Sequence, residues 1–219
     1  MLARTCLKKG AGIPLVFLHG FLGTASDWEP VCDFLPPCHC IGLDLPGHGK
    51  SPFTENFDID IPLFHLIGYS MGGRLAMQYA DSHPEKIASL TVMSAHPGLL
   101  TDEEKQKKLE ADASWAKLLF ELPIDDFLDR WYDQPLFKPF KPDLSMRKQQ
   151  NIPHLAAALI HYSSGKQKRY EIEEGFAGER DTNYHHLYKK TILIPNAGHA
   201  VHLENPEAVA MALQQRIFL

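Results

Sequence analysis

The chain has little of what marks a stapled, metal-bound, membrane-spanning or nucleic-acid-binding protein. Only four of its 219 residues are cysteine: Cys6, Cys32, Cys38 and Cys40. The Cys38-x-Cys40 pair is too close for a redox C-x-x-C motif, and no second ligand pair stands at zinc-like spacing. The thiols read as buried or surface groups in a reducing compartment. No apolar run approaches the roughly 18 residues that a membrane span needs. Positive charge is not in excess either. The formal net charge is −5, which argues against nucleic acid or an anionic membrane as a partner. Arg4, Lys8 and Lys9 precede IPLVFLHGFLG in faint imitation of a targeting segment, but Pro14, His19 and Gly20 interrupt that run. No repeat or low-complexity tract is present. These absences leave a soluble, cytoplasmic chain long enough for one sizeable core.

What is there alternates. Short apolar runs recur at 13–18, 40–45, 64–70, 87–95 and 191–195. None shows strict alternation, so each predicts a strand buried on both faces. RLAMQYADSH (74–83) reads as a helix ended by Pro84, and NPEAVAMALQQRIF (205–218) as one opened by an Asn cap and Pro206. Strands separated by helices imply a mostly parallel sheet covered on both sides. From about 99 to 165 the pattern becomes helical, opening on the capping box Thr101-x-x-Glu104 and continuing through IDDFLDRWYDQ and HLAAALIHY. Two connections look short. Residues 46–63 are rich in Pro and Gly without helical pattern, although a parallel crossover usually takes a helix. RYEIEEGFAGERD (169–181) should hold a strand and reads as a poor one. Either elements are lost there or the sequence omits them.

Residues 65–80, HLIGYSMGGRLAMQYA, place Ser70 in a G-x-S-x-G between an apolar strand and a helix. This is the pattern of a nucleophile elbow. Serine at the tip of such a turn adopts a strained backbone, and glycines beside it let strand and helix close up. A serine hydroxyl is a poor nucleophile or base until an imidazole, held by a carboxylate, takes its proton. The chain order in this architecture is serine, acid, histidine. Of the histidines beyond the acids, His185, His186, His199 and His202, the choice falls on His199 in the loop NAGHA after TILIP. His202 reads as packing. Asp181 in GERDTN is the acid candidate ahead of Glu179. The strand ending in His19-Gly20 would set the Phe21 N–H beside that of Met71 as an oxyanion hole. His19 itself reads as orienting that loop.

With these pieces in place the chain resembles the α/β-hydrolase superfamily along nearly its whole length, from FLHGF through DLPGHGKS and GYSMGGR to GERD and AGHAVHLENP. The resemblance implies a single α/β-hydrolase domain over 1–219, with a mostly parallel sheet flanked by helices and a helical cap insertion at about 99–165. A narrower resemblance, carried by GYSMGGRLAM, AHPGL, RWYDQPLF and NAGHAVHLENP, is to the 2-succinyl-6-hydroxy-2,4-cyclohexadiene-1-carboxylate synthases of menaquinone biosynthesis. That family implies a lyase acting on a small-molecule tricarboxylate: a proton is removed beside a ketone and pyruvate is eliminated. Ser70, backed by His199 and Asp181, would act as base, with either Ser70 or His199 touching the proton. By family position, Arg74, Lys108 and Arg147 would bind the carboxylates, and Tyr69, Trp131 and Tyr132 would line the pocket. Lys108 departs from the family's usual arginine, keeping the charge and losing the two-pronged fork. No metal or organic cofactor is implied.

Blander and rival readings stand beside these. Arg74 and Arg147 could be solvated charges, Lys108 a helix partner of Glu104, and Trp131 and Tyr132 core of the cap. The same scaffold supports a carboxylesterase or carbon–carbon bond hydrolase, or a non-catalytic binding module. PGHGKS mimics the end of a phosphate loop, but Asp44 stands where that loop needs glycine.

Overall fold

A computed structural model describes residues 1–218. Seven strands form one sheet: β1 (Arg4–Lys8), β2 (Leu15–Leu18), β3 (Cys40–Leu43), β4 (Phe64–Tyr69), β5 (Ile87–Met93), β6 (Glu174–Gly178) and β7 (Lys190–Ile194). Their order is β1-β3-β2-β4-β5-β6-β7. Every neighbouring pair is parallel except β1 with β3. The unbroken apolar character of β2 has a simple cause. Leu15 and Phe17 point to one face of the sheet and Val16 and Leu18 to the other, and helices bury both.

One face is covered by α1 (Glu29–Phe34), α6 (Val201–Glu204) and α7 (Pro206–Ile217), the last opened by the Asn205 side chain accepting from the Ala208 N–H. The other carries α2 (Met71–Ser82) and, between β5 and β6, the helices α3 (Asp102–Glu121), α4 (Ile124–Tyr132) and α5 (Ile152–His161). Both bonds of the Thr101–Glu104 capping box are present at the start of α3.

Two departures from the sequence reading concern the edge strands of the sheet. β7 is not buried on both faces. It is the outermost strand, and Leu193 is exposed. β1, unnoticed in the sequence, pairs antiparallel at the opposite edge through residues that are mostly exposed, which is why no apolar run announced it. Within 169–181, EGFAG forms the strand that the connection called for, β6, in full register with β7 from Glu174↔Lys190 to Gly178↔Ile194. Its two glycines explain why it reads as a poor one. At Gly175 the Tyr188 ring lies where a Cβ would stand, so the packing needs a residue without one.

The connection from β3 to β4 contains no helix, as its composition suggested. Residues 54–61 run as a strap tied by side chains. Tyr79 donates to Asp58 at 2.7 Å, Lys86 donates to the same carboxylate at 2.9 Å, and the Tyr162 hydroxyl donates to the Thr54 carbonyl at 2.6 Å. The β6-to-β7 connection is equally reduced, with one short 3-10 turn at Thr182–Tyr184. After PGHGKS no helix follows, and Asp44 is buried, accepting from the Ala25 and Lys50 N–H groups. That removes the basis for a phosphate loop.

Candidate active site

The C-terminal ends of β2, β4, β5, β6 and β7 converge on Ser70. Its backbone sits at φ 51°, ψ −113°, strained for a residue with a Cβ. Close packing holds it there. A Cβ at Gly72 would come within 2.4 Å of the Leu18 and His19 carbonyl oxygens, and one at Gly68 within 2.5 Å of the Gly72 carbonyl oxygen. The glycines are therefore required by the approach of strand, loop and helix.

The His199 Nε2 lies 3.3 Å from the Ser70 hydroxyl, and its Nδ1 lies 2.8 Å from Asp181 Oδ2. With the carboxylate at Nδ1, the neutral ring carries its proton there, leaving Nε2 to accept from serine. His199 and Asp181 are both buried. Glu179, the other acid candidate, is exposed and accepts instead from the Asn196 N–H. His185 is spent on the Gly178 carbonyl. His202 is fully buried between the rings of Trp28 and Tyr69, as packing, although neither of its nitrogens has a partner among the described residues.

Phe21 and Met71 flank the serine in the cavity wall. Among the described residues neither N–H has a protein acceptor, and Met71 opens α2, where N–H groups are free by construction. The loop bearing Phe21 is fixed by His19. The Leu45 N–H donates to its Nε2 at 2.9 Å, so Nδ1 carries the proton and donates to the Gly20 carbonyl at 2.7 Å. Burial pushes the His19 imidazole down to about 4, so it stays neutral.

Two arms open from Ser70. The first is a cavity of about 260 Å³ walled by Arg74, Lys108, Asp112, His96, Ser94, Trp115, Tyr184 and His199, among others. Arg74 is half-buried at its base and donates to the Tyr162 carbonyl at 2.6 Å. It is not a solvated helix charge. Lys108 bonds Asp112 at 2.5 Å, one turn on, while Glu104 is occupied by the capping box. The second arm is smaller and is lined by Arg147, Asp27, Tyr132, Tyr69 and His202. There Arg147 donates to Asp27 at 3.0 Å and to the Tyr132 hydroxyl at 2.8 Å. Burial pushes the Asp27 carboxyl up, against the pull of Arg147. Phe21, Ser70, Trp131 and Phe137 belong to both arms. The structure thus brings Arg74 and Lys108 together and sets Arg147 apart. The larger hollows, of about 680 Å³ along α2 and about 530 Å³ beside Lys141, do not include Ser70 or His199.

Several wall residues escaped the sequence reading. Asp112 could have been found from its i+4 spacing to Lys108. His96 lay in view inside AHPGL. Asp27 gave no signal, because its partner Arg147 is 120 residues away.

This combination, an elbow serine on a parallel sheet with its acid and histidine on later loops, is the α/β-hydrolase arrangement. The α/β-hydrolase fold family matches residues 13–181. More narrowly, the chain belongs to the family of 2-succinyl-6-hydroxy-2,4-cyclohexadiene-1-carboxylate synthases. It is 35% identical to the synthase of Enterobacter sp. (strain 638) over 243 residues, covering 95% of this chain and 94% of that one. The corresponding synthase of Escherichia coli O1:K1 / APEC is 33% identical over 236 residues, covering 93% and 94%. Because 243 aligned positions cover a 219-residue chain, the first relative carries residues that this chain lacks. The solved structure of MenH from S. aureus superposes with a TM-score of 0.83 at 24% identity, covering 97% of this chain and 96% of that one. A thermophilic esterase from Thermogutta terrifontis gives 0.71 at 19% identity, covering 99% and 93%. At these identities the structural likeness establishes the fold.

Proposed function

We propose that the chain eliminates pyruvate from 2-succinyl-5-enolpyruvyl-6-hydroxy-3-cyclohexene-1-carboxylate, yielding 2-succinyl-6-hydroxy-2,4-cyclohexadiene-1-carboxylate in menaquinone biosynthesis. The observation that carries this reading is the Ser70–His199–Asp181 hydrogen-bonded chain opening directly into a cavity walled by Arg74 and Lys108. A neutral ester needs no cations at that position, whereas a tricarboxylate does.

The chemistry follows from the geometry. His199, neutral and fixed by Asp181, takes the proton that Ser70 relays from the carbon beside the ketone. The enolate oxygen is met by the Phe21 and Met71 N–H groups, donors of the kind worth a few kcal/mol each in a site closed to water. The electron pair then forms the new ring double bond, the bond to the enolpyruvyl oxygen breaks with its pair leaving on that oxygen, and the departing pyruvate enolate becomes pyruvate by taking up a proton at its methylene carbon, which balances the one removed. Arg74 and Lys108 hold carboxylate in one arm and Arg147 in the other, with Tyr69, Trp131 and Tyr132 shaping the walls. The helices at about 99–165 act as a cap on a single domain. Four free thiols support a cytoplasmic setting.

Pyruvate release coupled to lactate dehydrogenase tests the reading. The wild type should release pyruvate from the enolpyruvyl substrate, and Ser70→Ala should lose at least about a thousandfold in kcat. Fast hydrolysis of p-nitrophenyl acetate without pyruvate release would instead make the chain an esterase.

A further inference from the structure

Counting charge in the two arms exposes a deficit. Arg74, Lys108 and Arg147 supply three positive charges, but Asp112 lies against Lys108 and Asp27 against Arg147. With both carboxylates ionised, one net positive charge faces a substrate bearing three negative ones. The remainder has to be met by neutral N–H and O–H donors, as buried anions require.

The turn after β5 offers such donors. The Gly98 N–H donates to His96 Nδ1 at 3.1 Å. A backbone N–H can only donate, so Nδ1 is the acceptor and the neutral ring must carry its proton on Nε2. That Nε2 has no protein partner among the described residues, and the ring lines the arm that holds Arg74 and Lys108. Burial, Arg169 and Arg74 hold the imidazole below its ordinary range, against an opposing pull from Glu104, which keeps it in the neutral donor form. Two residues earlier, Ser94 sits at φ 45°, a left-handed backbone that is costly for serine. Ser94 belongs to the wall of the same arm, and its buried hydroxyl has no partner among the described residues. An imidazole N–H without a protein partner and a buried hydroxyl without one, both on one strained turn in the wall that Arg74 and Lys108 share, mark a built wall and not packing filler.

We infer that His96 binds a carboxylate of the substrate through Nε2–H, completing the Arg74–Lys108 arm. The inference takes its substrate class from the lyase reading. It assigns His96 no part in proton transfer: the tautomer that Gly98 enforces presents a donor, whereas the base His199 presents an acceptor.

Two variants separate donation from support of the turn. In His96→Asn the side-chain oxygen can still accept from the Gly98 N–H, but no donor reaches the Nε2 position. In His96→Gln the amide N–H₂ reaches that position. Each is titrated with tricarballylate, a simple tricarboxylate, using the fluorescence of Trp115 and Trp131 in the same arm, after circular dichroism and melting have shown that it folds. We expect the Kd to rise about tenfold in His96→Asn and to return to within about threefold of wild type in His96→Gln. The KM for the enolpyruvyl substrate should follow the same order, with a smaller fall in kcat. Equal affinity of wild type and His96→Asn overturns the inference, as does equal loss in both variants or the absence of tricarballylate binding by wild type at millimolar concentration. A wild type that binds tricarballylate but releases no pyruvate would defeat the lyase reading and leave the His96 assignment to the titration alone.

Discussion

Arg147 Nη2 lies 3.0 Å from Asp27 Oδ2, joining the stretch between α4 and α5 to the turn after β2. Both side chains are almost wholly buried, so neither charge has water to fall back on. Breaking such a pair from one side typically costs about 3–5 kcal/mol, because the other charge is stranded. Asp27→Asn should therefore lower the unfolding free energy extrapolated from urea melts by an amount of that order. Adding Arg147→Ala should recover part of the loss, since the stranded charge is then gone. A double-mutant cycle with no coupling would show that the pair does not join the two segments.

Asp181 sets the tautomer on which the site depends. In Asp181→Asn the amide would turn an N–H₂ toward Nδ1, driving the ring proton to Nε2, where it faces Ser70. Loss of the correct tautomer in comparable sites lowers kcat by as much as about 10⁴-fold. A fall of at least about a hundredfold in pyruvate release, with circular dichroism unchanged, is the expected outcome. Combining it with Ser70→Ala should cost little beyond Ser70→Ala alone, because the residues act as a unit.

Lys108 provides the opposite experiment, a gain. Replacing it by arginine supplies a two-pronged fork while Asp112 remains one turn away to orient it. Lys108→Arg should lower KM severalfold with kcat almost unchanged in steady-state pyruvate release. An unchanged KM would return Lys108 to the role of a helix partner for Asp112.

The buried imidazoles make stability depend on pH. Burial holds His19 at about 4, and burial with His19 nearby holds His48 at about 3, against about 6.5 when unfolded. Below 6.5 the unfolded chain binds more protons, so stability rises with pH and is lost as the pH falls toward 4. For His19 alone the loss at pH 5 is about 2 kcal/mol. Urea midpoints at pH 7 and pH 5 should show the drop, and His19→Gln, less stable at pH 7, should show a smaller one.

What could be read from the sequence was whatever is local. The central strands β2 and β4, the elbow at Ser70, the capping box at Thr101 and the Asn205 cap each announce themselves within a few residues. Asp181 and His199 were reachable because chain order constrains them. The edge strand β1 was not, because its residues are mostly exposed and carry no apolar pattern, and β6, expected within 169–181, could not be delimited because two of its five residues are glycine. The site's charge balance was equally hidden. Lys108 and Arg147 could be named one by one, but their neutralisation by Asp112 and Asp27 depends on which side chains face each other after folding.

The strap across residues 54–61 has a consequence for how the molecule breathes. Where a crossover helix would have locked its own amides, this segment is moored by Tyr79, Lys86 and Tyr162 at isolated points. Its backbone N–H groups should exchange with deuterium well before those of β2 and β4. Tyr162 also accepts from Arg74 through its carbonyl while donating to Thr54 through its hydroxyl. Tyr162 is thus a shared post, holding the strap at one end of its side chain and the guanidinium at the floor of the site through its backbone.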